Sequence, residues 1–248
     1  MPANTPVALI TGSAHRLGAR TVELLHERGW NLVIHYRSHR KQASSLAETL
    51  NHQRQNSAIA LPADLSEVAD IKCLSHKAAA HWGRLDALVN NASVFYPNPT
   101  PEATEDDWNC IMNTNLKAPF FLLQACLPAL RASAGSVVNL IDIYSEKPLP
   151  EHPLYCASKA GLAALTRSWA KDLAPEVRVN GVSPGAILWP EGDAAVDAGY
   201  QSRILDKTPL KRTGTPDDIA RTIVFLLTEA PFITGQIISV DGGRSLNM

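Results

Sequence analysis

The feature that most constrains this chain is the strict alternation of short apolar runs with longer amphipathic stretches. "VALI" at 7–10 is an apolar run bounded by turn residues, and the spacing over 17–28 is helical and stops at Gly29. "NLVIHY" at 31–36 is the next run, followed by a polar helix over 39–54. "AIALPAD" at 58–64, a helix over 67–81 and "LDALVNNA" at 85–92 repeat the order. A long helical stretch covers 104–131, "GSVVNLID" spans 135–142, and a helix covers 153–173. "RVNGVSPG" at 178–185, a helix over 216–228 and "QIISVDGG" close the series.

Short runs that are apolar at successive positions belong to strands buried on both faces, hence to a parallel sheet with helices on each side. Right-handed crossovers then give an α/β chain with a Rossmann-type, doubly wound parallel sheet. One domain over 1–248 is expected, since no repeat, low-complexity segment or linker interrupts the order. The stretch 186–212 lacks clear periodicity and reads as an irregular lid over a site.

Bulk composition narrows the function classes. Of the 248 residues, 45% are hydrophobic and 19% charged, which suits a folded globular chain. A net charge of −1 gives no reason to expect nucleic acid or an anionic membrane as partner. No apolar run approaches the roughly 20 residues that span a bilayer. "MPANTPVALITG" lacks a charged leader and enters a strand almost at once, so a secretory signal is not expected. Cys73, Cys110, Cys126 and Cys156 form no CxxC pair and no zinc spacing. Reduced thiols, a cytoplasmic location and no metal are the expectations.

"TGSAHRLG" at 11–18 follows the first strand and opens the first helix. Gly12 permits a tight turn, Gly18 lets the helix start lie close to the sheet, and the helix N-terminus suits a pyrophosphate. Arg16 takes the middle position, where it either contacts phosphate, reaches toward a substrate or stays solvated. An acid at the end of the second strand would bind ribose hydroxyls and repel a 2′-phosphate. Here the strand ends in "HYRS", so Arg37 and Ser38, with Arg40 and Lys41 nearby, point to NADP(H). Asp64 is placed to accept from the adenine amino group. "NNAS" at 90–93 offers small residues near the cofactor.

Tyr155 and Lys159 are one helical turn apart at the start of the helix after the fifth strand, the ligand-binding edge of such a sheet. Lys159 is expected to lower the Tyr155 pKa and grip the cofactor ribose, which would make Tyr155 a proton donor. Thirteen residues before the tyrosine stands an acid, Asp142.

Through "TGSAHRLG", "NNAS", Asn115 in "NTNLKAPF", "YCASK", "RVNGVSPG" and "ITGQIISVDGG", the whole chain resembles the short-chain dehydrogenase/reductase family. The resemblance implies cofactor contacts along these motifs at Leu17, Tyr36, Leu65, Asn91, Ala92, Ser93, Pro184 and Gly185. It also implies a catalytic Asn115 that holds a water beside the lysine. As a structural residue Asn115 would instead cap or kink its helix. That family usually carries serine where this chain has Asp142. Arg16, "HYRS" and Asp142 together resemble the pteridine reductase branch, as does "NASVFYPNP" at 91–99, whose Phe95 would stack on a pterin ring.

The implied reaction is NADPH-dependent reduction of a dihydropterin such as dihydrobiopterin or dihydromonapterin, with dihydrofolate as a further substrate. Asp142 and Tyr155 would form its proton-donating pair. Arg16, Ser93 and Trp189 complete the implied substrate contacts. Alternatives stay open at single residues: Asp142 pairing with a lysine, Phe95 in the core, Trp189 merely packing. A carbonyl reductase acting on 3-oxoacyl thioesters, and a non-catalytic cofactor sensor, are the competing functions. A homotetramer built through 104–131 and 153–173 is expected by analogy alone.

Overall fold

A computed structural model describes residues 5–189 and 197–248. Its strands are β1 (Val7–Ile10), β2 (Asn31–Tyr36), β3 (Ala58–Pro62), β4 (Ala87–Asn90), β5 (Ser136–Leu140), β6 (Arg178–Pro184) and β7 (Ile237–Val240). They form one sheet in the order β3-β2-β1-β4-β5-β6-β7, with every pairing parallel. Within β1, Ala8 and Ile10 belong to one apolar layer and Val7 and Leu9 to the other. All four are fully buried, as the unalternating apolar run requires.

Helices fill both faces. The layer of Ala8 and Ile10 takes in α1 (Arg16–Glu27), α2 (Arg40–Gln53) and α8 (Pro216–Thr228) through Val22, Leu25, Ala43, Ile223 and others. The opposite layer takes in α3 (Val68–Trp82), α5 (Ala118–Ala132) and α6 (Pro153–Asp172). Local signals set the ends. α1 stops where Gly29, at φ +85°, donates its N–H to the His26 carbonyl. α8 starts on a reciprocal cap in which Thr215 and Asp218 satisfy each other's backbone N–H groups.

Two expectations are corrected. The stretch 104–131 is not one helix. It is α4 (Glu105–Met112), a five-residue π-helical segment (Asn113–Lys117) and α5. The stretch 186–212 is not irregular throughout. It contains α7 (Ala198–Lys207), capped by the Asp197 carboxylate on the Tyr200 N–H. That helix escaped the sequence reading because its single buried residue, Ile204, leaves almost no apolar period to detect. Residues 190–196 of the expected lid lie outside the described residues.

A polar ladder crosses the apolar interior. Asn90 Nδ2 donates to Asn139 Oδ1 at 2.8 Å, and Asn139 Nδ2 donates to Thr166 Oγ1 at 2.8 Å. It ties β4 and β5 to the middle of α6, the helix that carries Tyr155. Asn139→Ala is expected to leave both neighbours partly unsatisfied and to cost about 1–3 kcal/mol, read as a lower urea midpoint.

Candidate active site

Strand order reverses between β1 and β4, and ligand clefts form at the carboxyl edge of such a reversal. A cleft of about 470 Å³ opens there. Its walls include the expected residues Gly12, Arg16 and Leu17, then Tyr36, Arg37 and Ser38 from the end of β2. Asp64 and Leu65, Asn91, Ala92 and Ser93, and finally Phe95 and Tyr155 complete the expected set. Gly18, Asn115, Asp142, Lys159, Pro184, Gly185 and Trp189 do not line it.

The glycine loop is held tightly. A Cβ on Gly12 would come within 3.0 Å of Ala92 Cα, and one on Gly18 within 2.6 Å of Ser13 Cα. Asn91 Nδ2 donates to the carbonyls of Thr11 (2.8 Å) and Gly12 (3.0 Å), so this asparagine braces the loop from β4. Arg16 sits at φ +56°, a left-handed conformation that costs roughly 1–2 kcal/mol for a residue with a Cβ. The N-cap of α1 has no side-chain cap, so the first-turn N–H groups are left for a ligand. Small residues and uncapped N–H groups at this edge fit the pyrophosphate of a dinucleotide. At the far end of the cleft, Arg37 and Ser38 are exposed. Asp64 Oδ1 accepts from the Ser66 N–H (2.9 Å) and hydroxyl (2.8 Å), which keeps the Asp64 carboxyl below its ordinary pKa. Gly185 answers a different need: a Cβ there would meet Asp241 Cα at 2.7 Å, so its smallness serves the approach of the segment after β7.

At the other end, the Tyr155 hydroxyl donates to Asp142 Oδ2 at 2.8 Å, and the Tyr144 N–H donates to Asp142 Oδ1 at 3.0 Å. Asp142 keeps part of its surface accessible, yet enough protein surrounds the carboxylate for burial to raise its pKa. The Tyr144 N–H, the Tyr155 hydroxyl, Lys159 and Arg244 oppose that rise. Burial, then the Asp142 charge, push the Tyr155 phenol well above its ordinary value. The expectation that Lys159 lowers the tyrosine pKa is thereby corrected. Lys159 Nζ donates to the Leu140 carbonyl at 2.9 Å and lies 5.7 Å from the Tyr155 ring centroid. Burial brings its own pKa down to about 8. Burial first, and then the carboxylate hydrogen-bonded to the hydroxyl, outweigh an ammonium beside the ring.

Asn115 belongs to the π-helical segment, a local irregularity often found at functional sites. Its Oδ1 accepts from the Val94 N–H (2.8 Å) and the Ser93 hydroxyl (3.2 Å). Its Nδ2 donates to the Val94 carbonyl (2.9 Å) and Ser158 Oγ (3.2 Å). These four bonds use the whole capacity of the amide and clamp the 93–95 loop to α6. Phe95 is 45% exposed, so it is not core. It stacks on His152 (4.6 Å between centroids, 15°) and meets Tyr155 edge-on (4.7 Å, 81°). Trp189 is half-buried.

Sequence reading missed several contributors. His35 accepts the Gly12 N–H on Nδ1 (2.9 Å), and its Nε2–H donates to the Ala63 carbonyl (3.1 Å). Burial keeps it neutral, with its pKa lowered to about 4. Arg244, after β7, donates to the Tyr144 hydroxyl at 3.0 Å and stands near Asp142. His15 and His39 line the cleft as well. No local pattern marks His35 or Arg244, because their partners lie 23 to 100 positions away. Among the described residues, no group of His, Cys, Asp and Glu could hold a metal, and the four cysteines are unpaired. None of the described helices is long and apolar enough to cross a membrane.

A doubly wound sheet, a glycine loop at its strand reversal and a Tyr–Lys pair on α6 define an oxidoreductase with a nicotinamide dinucleotide site. The chain belongs to the short-chain dehydrogenase/reductase family: a family model described as Enoyl-(Acyl carrier protein) reductase matches residues 12–245. It is similar to pteridine reductase 1 of Leishmania tarentolae, at 36% identity covering 97% of this chain and 96% of the relative. It is also similar to the 3-oxoacyl-(acyl-carrier-protein) reductase FabG of Staphylococcus aureus strain Mu50, at 34% identity covering 96% and 98%. The FabG of Staphylococcus epidermidis strain RP62A is 33% identical over 95% of this chain and 97% of its own length. Members of the family typically use NAD(P)(H) and act on small molecules, and these are the coarse properties of this enzyme.

His35→Leu is expected to leave the Gly12 N–H and Ala63 carbonyl unpartnered. It should cost about 1–3 kcal/mol of stability and weaken dinucleotide binding, checked by thermal melts with and without cofactor.

Proposed function

We propose that this enzyme reduces a dihydropterin to its tetrahydro form with NADPH. The observation that carries the reading is the 2.8 Å bond from the Tyr155 hydroxyl to Asp142. A serine at position 142 would donate to a substrate carbonyl, whereas an ionised carboxylate cannot donate and would repel a developing oxyanion. When protonated it can pass its proton through Tyr155 to a ring nitrogen, which is what reduction of a C=N bond requires. The raised Asp142 pKa favours that protonated form. The similarity to a pteridine reductase agrees with this reading.

The chain's own residues would act as follows. Phe95, exposed and edge-on to Tyr155, offers a flat face for the heterocycle, with Arg16 and Ser93 toward its polar edge. Bound NADPH supplies the hydride. Arg37 and Ser38 would hold its 2′-phosphate, and Gly12, Arg16 and Leu17 would line its pyrophosphate. Tyr155 would deliver the proton, fed by Asp142. Lys159, with Nζ on the Leu140 carbonyl, would keep a cation below them and reach the nicotinamide ribose. Asn115 would fix the loop bearing Phe95. The segment 186–212 would cover the substrate. In support, Tyr200 of α7 lies close enough to Tyr144 to help raise its pKa. Association into a homotetramer would use α4, α5 and α6, where Trp108 (51%) and Phe120 (39%) are exposed. A cytoplasmic location completes the reading.

The direct test is NADPH consumption with dihydrobiopterin, dihydrofolate and an acetoacetyl thioester. Oxidation with the pterin is expected; oxidation with the thioester alone would assign a carbonyl reductase instead, as the similarity to FabG allows. Tyr155→Phe is expected to lower kcat about 10²–10⁴-fold while NADPH still binds. Because protonated Asp142 is the active form, pterin turnover should fall as pH rises through its raised pKa. Asp142→Asn should be slow and should lack that descending limb. Arg37→Asp is expected to shift preference toward NADH, measured as the ratio of kcat/KM values for the two cofactors.

A further inference from the structure

His15, on the loop between β1 and α1, and His39, at the start of α2, face each other across the 2′ end of the cleft. Their ring centroids are 4.6 Å apart. Both side chains are exposed and both line the cleft beside Arg16, Arg37 and Ser38. His39 Nδ1 lies 3.3 Å from Ser38 Oγ. We infer that His15 and His39 determine cofactor specificity together with Arg37, by taking up a proton when the 2′-phosphate of NADPH enters between the basic groups around them. The inference rests on the NADPH reading above.

The physical case is electrostatic. In the free protein the pair is flanked in the chain by basic residues: Arg16 follows His15, Arg37 stands two positions before His39, and Arg40 and Lys41 follow it. Partial burial, then His39, then Arg16, hold His15 below its ordinary pKa. The remaining titratable groups at this end do not compete. His35 is buried with both ring nitrogens bonded and titrates at about 4. Asp64, after β3, is held ionised by Ser66, and Asp70 of α3 accepts the Asp64 N–H. An arriving phosphate dianion reverses the local balance and favours an imidazolium. NADH brings no such charge to this end, so its binding should take up no proton there.

The sign follows from linkage. If the bound-state histidine pKa lies above the free-state value, affinity for NADPH is highest at low pH. It declines as pH rises through the bound-state pKa, by at most about tenfold per pH unit for each proton taken up. A phosphate monoester titrates itself near pH 6, so the useful window starts above about 6.5.

The test measures dissociation constants for NADPH and NADH at constant ionic strength from pH 6.5 to 8.5. Calorimetry in two buffers of different ionisation enthalpy counts the protons taken up. The wild type is compared with His15→Gln, His39→Gln and the double variant. Because both side chains are exposed, these variants are expected to fold, which circular dichroism checks. The expected result is an NADPH-to-NADH affinity ratio that falls roughly three- to tenfold per pH unit, with proton uptake for NADPH alone. Both effects should be lost in the double variant. A preference for NADPH that is flat with pH and takes up no proton would overturn the histidine role while leaving the NADPH reading intact. Equal proton uptake with NADH, or an unchanged slope in the double variant, would also overturn it. NADH bound as tightly as NADPH at every pH would overturn both readings.

Discussion

Burial of a parallel sheet on both faces is the constraint on which the rest of this protein depends. Strands such as Val7–Ile10, with no exposed residue, leave no room for chemistry on either face of the sheet. Polar function gathers at the carboxyl edge, where the strand reversal between β1 and β4 opens a cleft. Several polar groups that enter the interior are paired into it. Asn90, Asn139 and Thr166 form a ladder, and His35 bonds at both nitrogens. An unpaired group in their place would cost about as much as the bond contributes, or more. These buried bonds are therefore also what hold the glycine loop and α6 in register with each other.

The catalytic end is a competition between burial and charge. Enclosure disfavours the Asp142 carboxylate, and enclosure equally disfavours the Lys159 ammonium, so each is shifted toward its neutral form. Their mutual attraction opposes both shifts. Tyr155, donating to Asp142, is held as a phenol. Burial raises the phenol most, and the Asp142 carboxylate adds to that shift. On the proposed reading, an acid at this position in place of a hydroxyl would let the cluster hold a proton rather than polarise a carbonyl. Arg244 and the Tyr144 N–H oppose this, since both favour the ionised acid.

The fold was legible because its signals are local and repeated. The limits of β2 and α8 coincide with those read from sequence, since apolar runs and caps mark them directly. The cleft was legible where motif residues are neighbours in sequence, as with Gly12, Arg16 and Leu17 and with Tyr36 to Ser38. Legibility failed where structure depends on distant partners. The π-helical turn around Asn115 does not alter the helical composition of 104–131, and its reason appears only when Val94 and Ser158 are seen on either side. Helix α7 was lost because one buried residue gives no period. The direction of the Tyr155 shift was not legible because spacing shows the lysine four residues away, while burial, and then Asp142 just beyond β5, dominate in the fold.

The two ends of the cleft are electrostatically unlike, and that asymmetry bears on how a ligand is oriented. Arg16 and Arg37, both lining the cleft, make one end cationic and exposed. The other end closes on a phenol, an enclosed acid and a deeply buried lysine. An anionic dinucleotide is drawn by its phosphates to the first end, where solvent screening is compatible with fast exchange. Only its uncharged reactive ring then needs to reach the second, where low polarity strengthens the effect of each remaining charge. Phe95 stands at the boundary, half-exposed and edge-on to Tyr155. On the proposed reading, a flat substrate seated there would meet the enclosed end with its polar edge, so the asymmetry that orients the dinucleotide would also align the substrate with Tyr155.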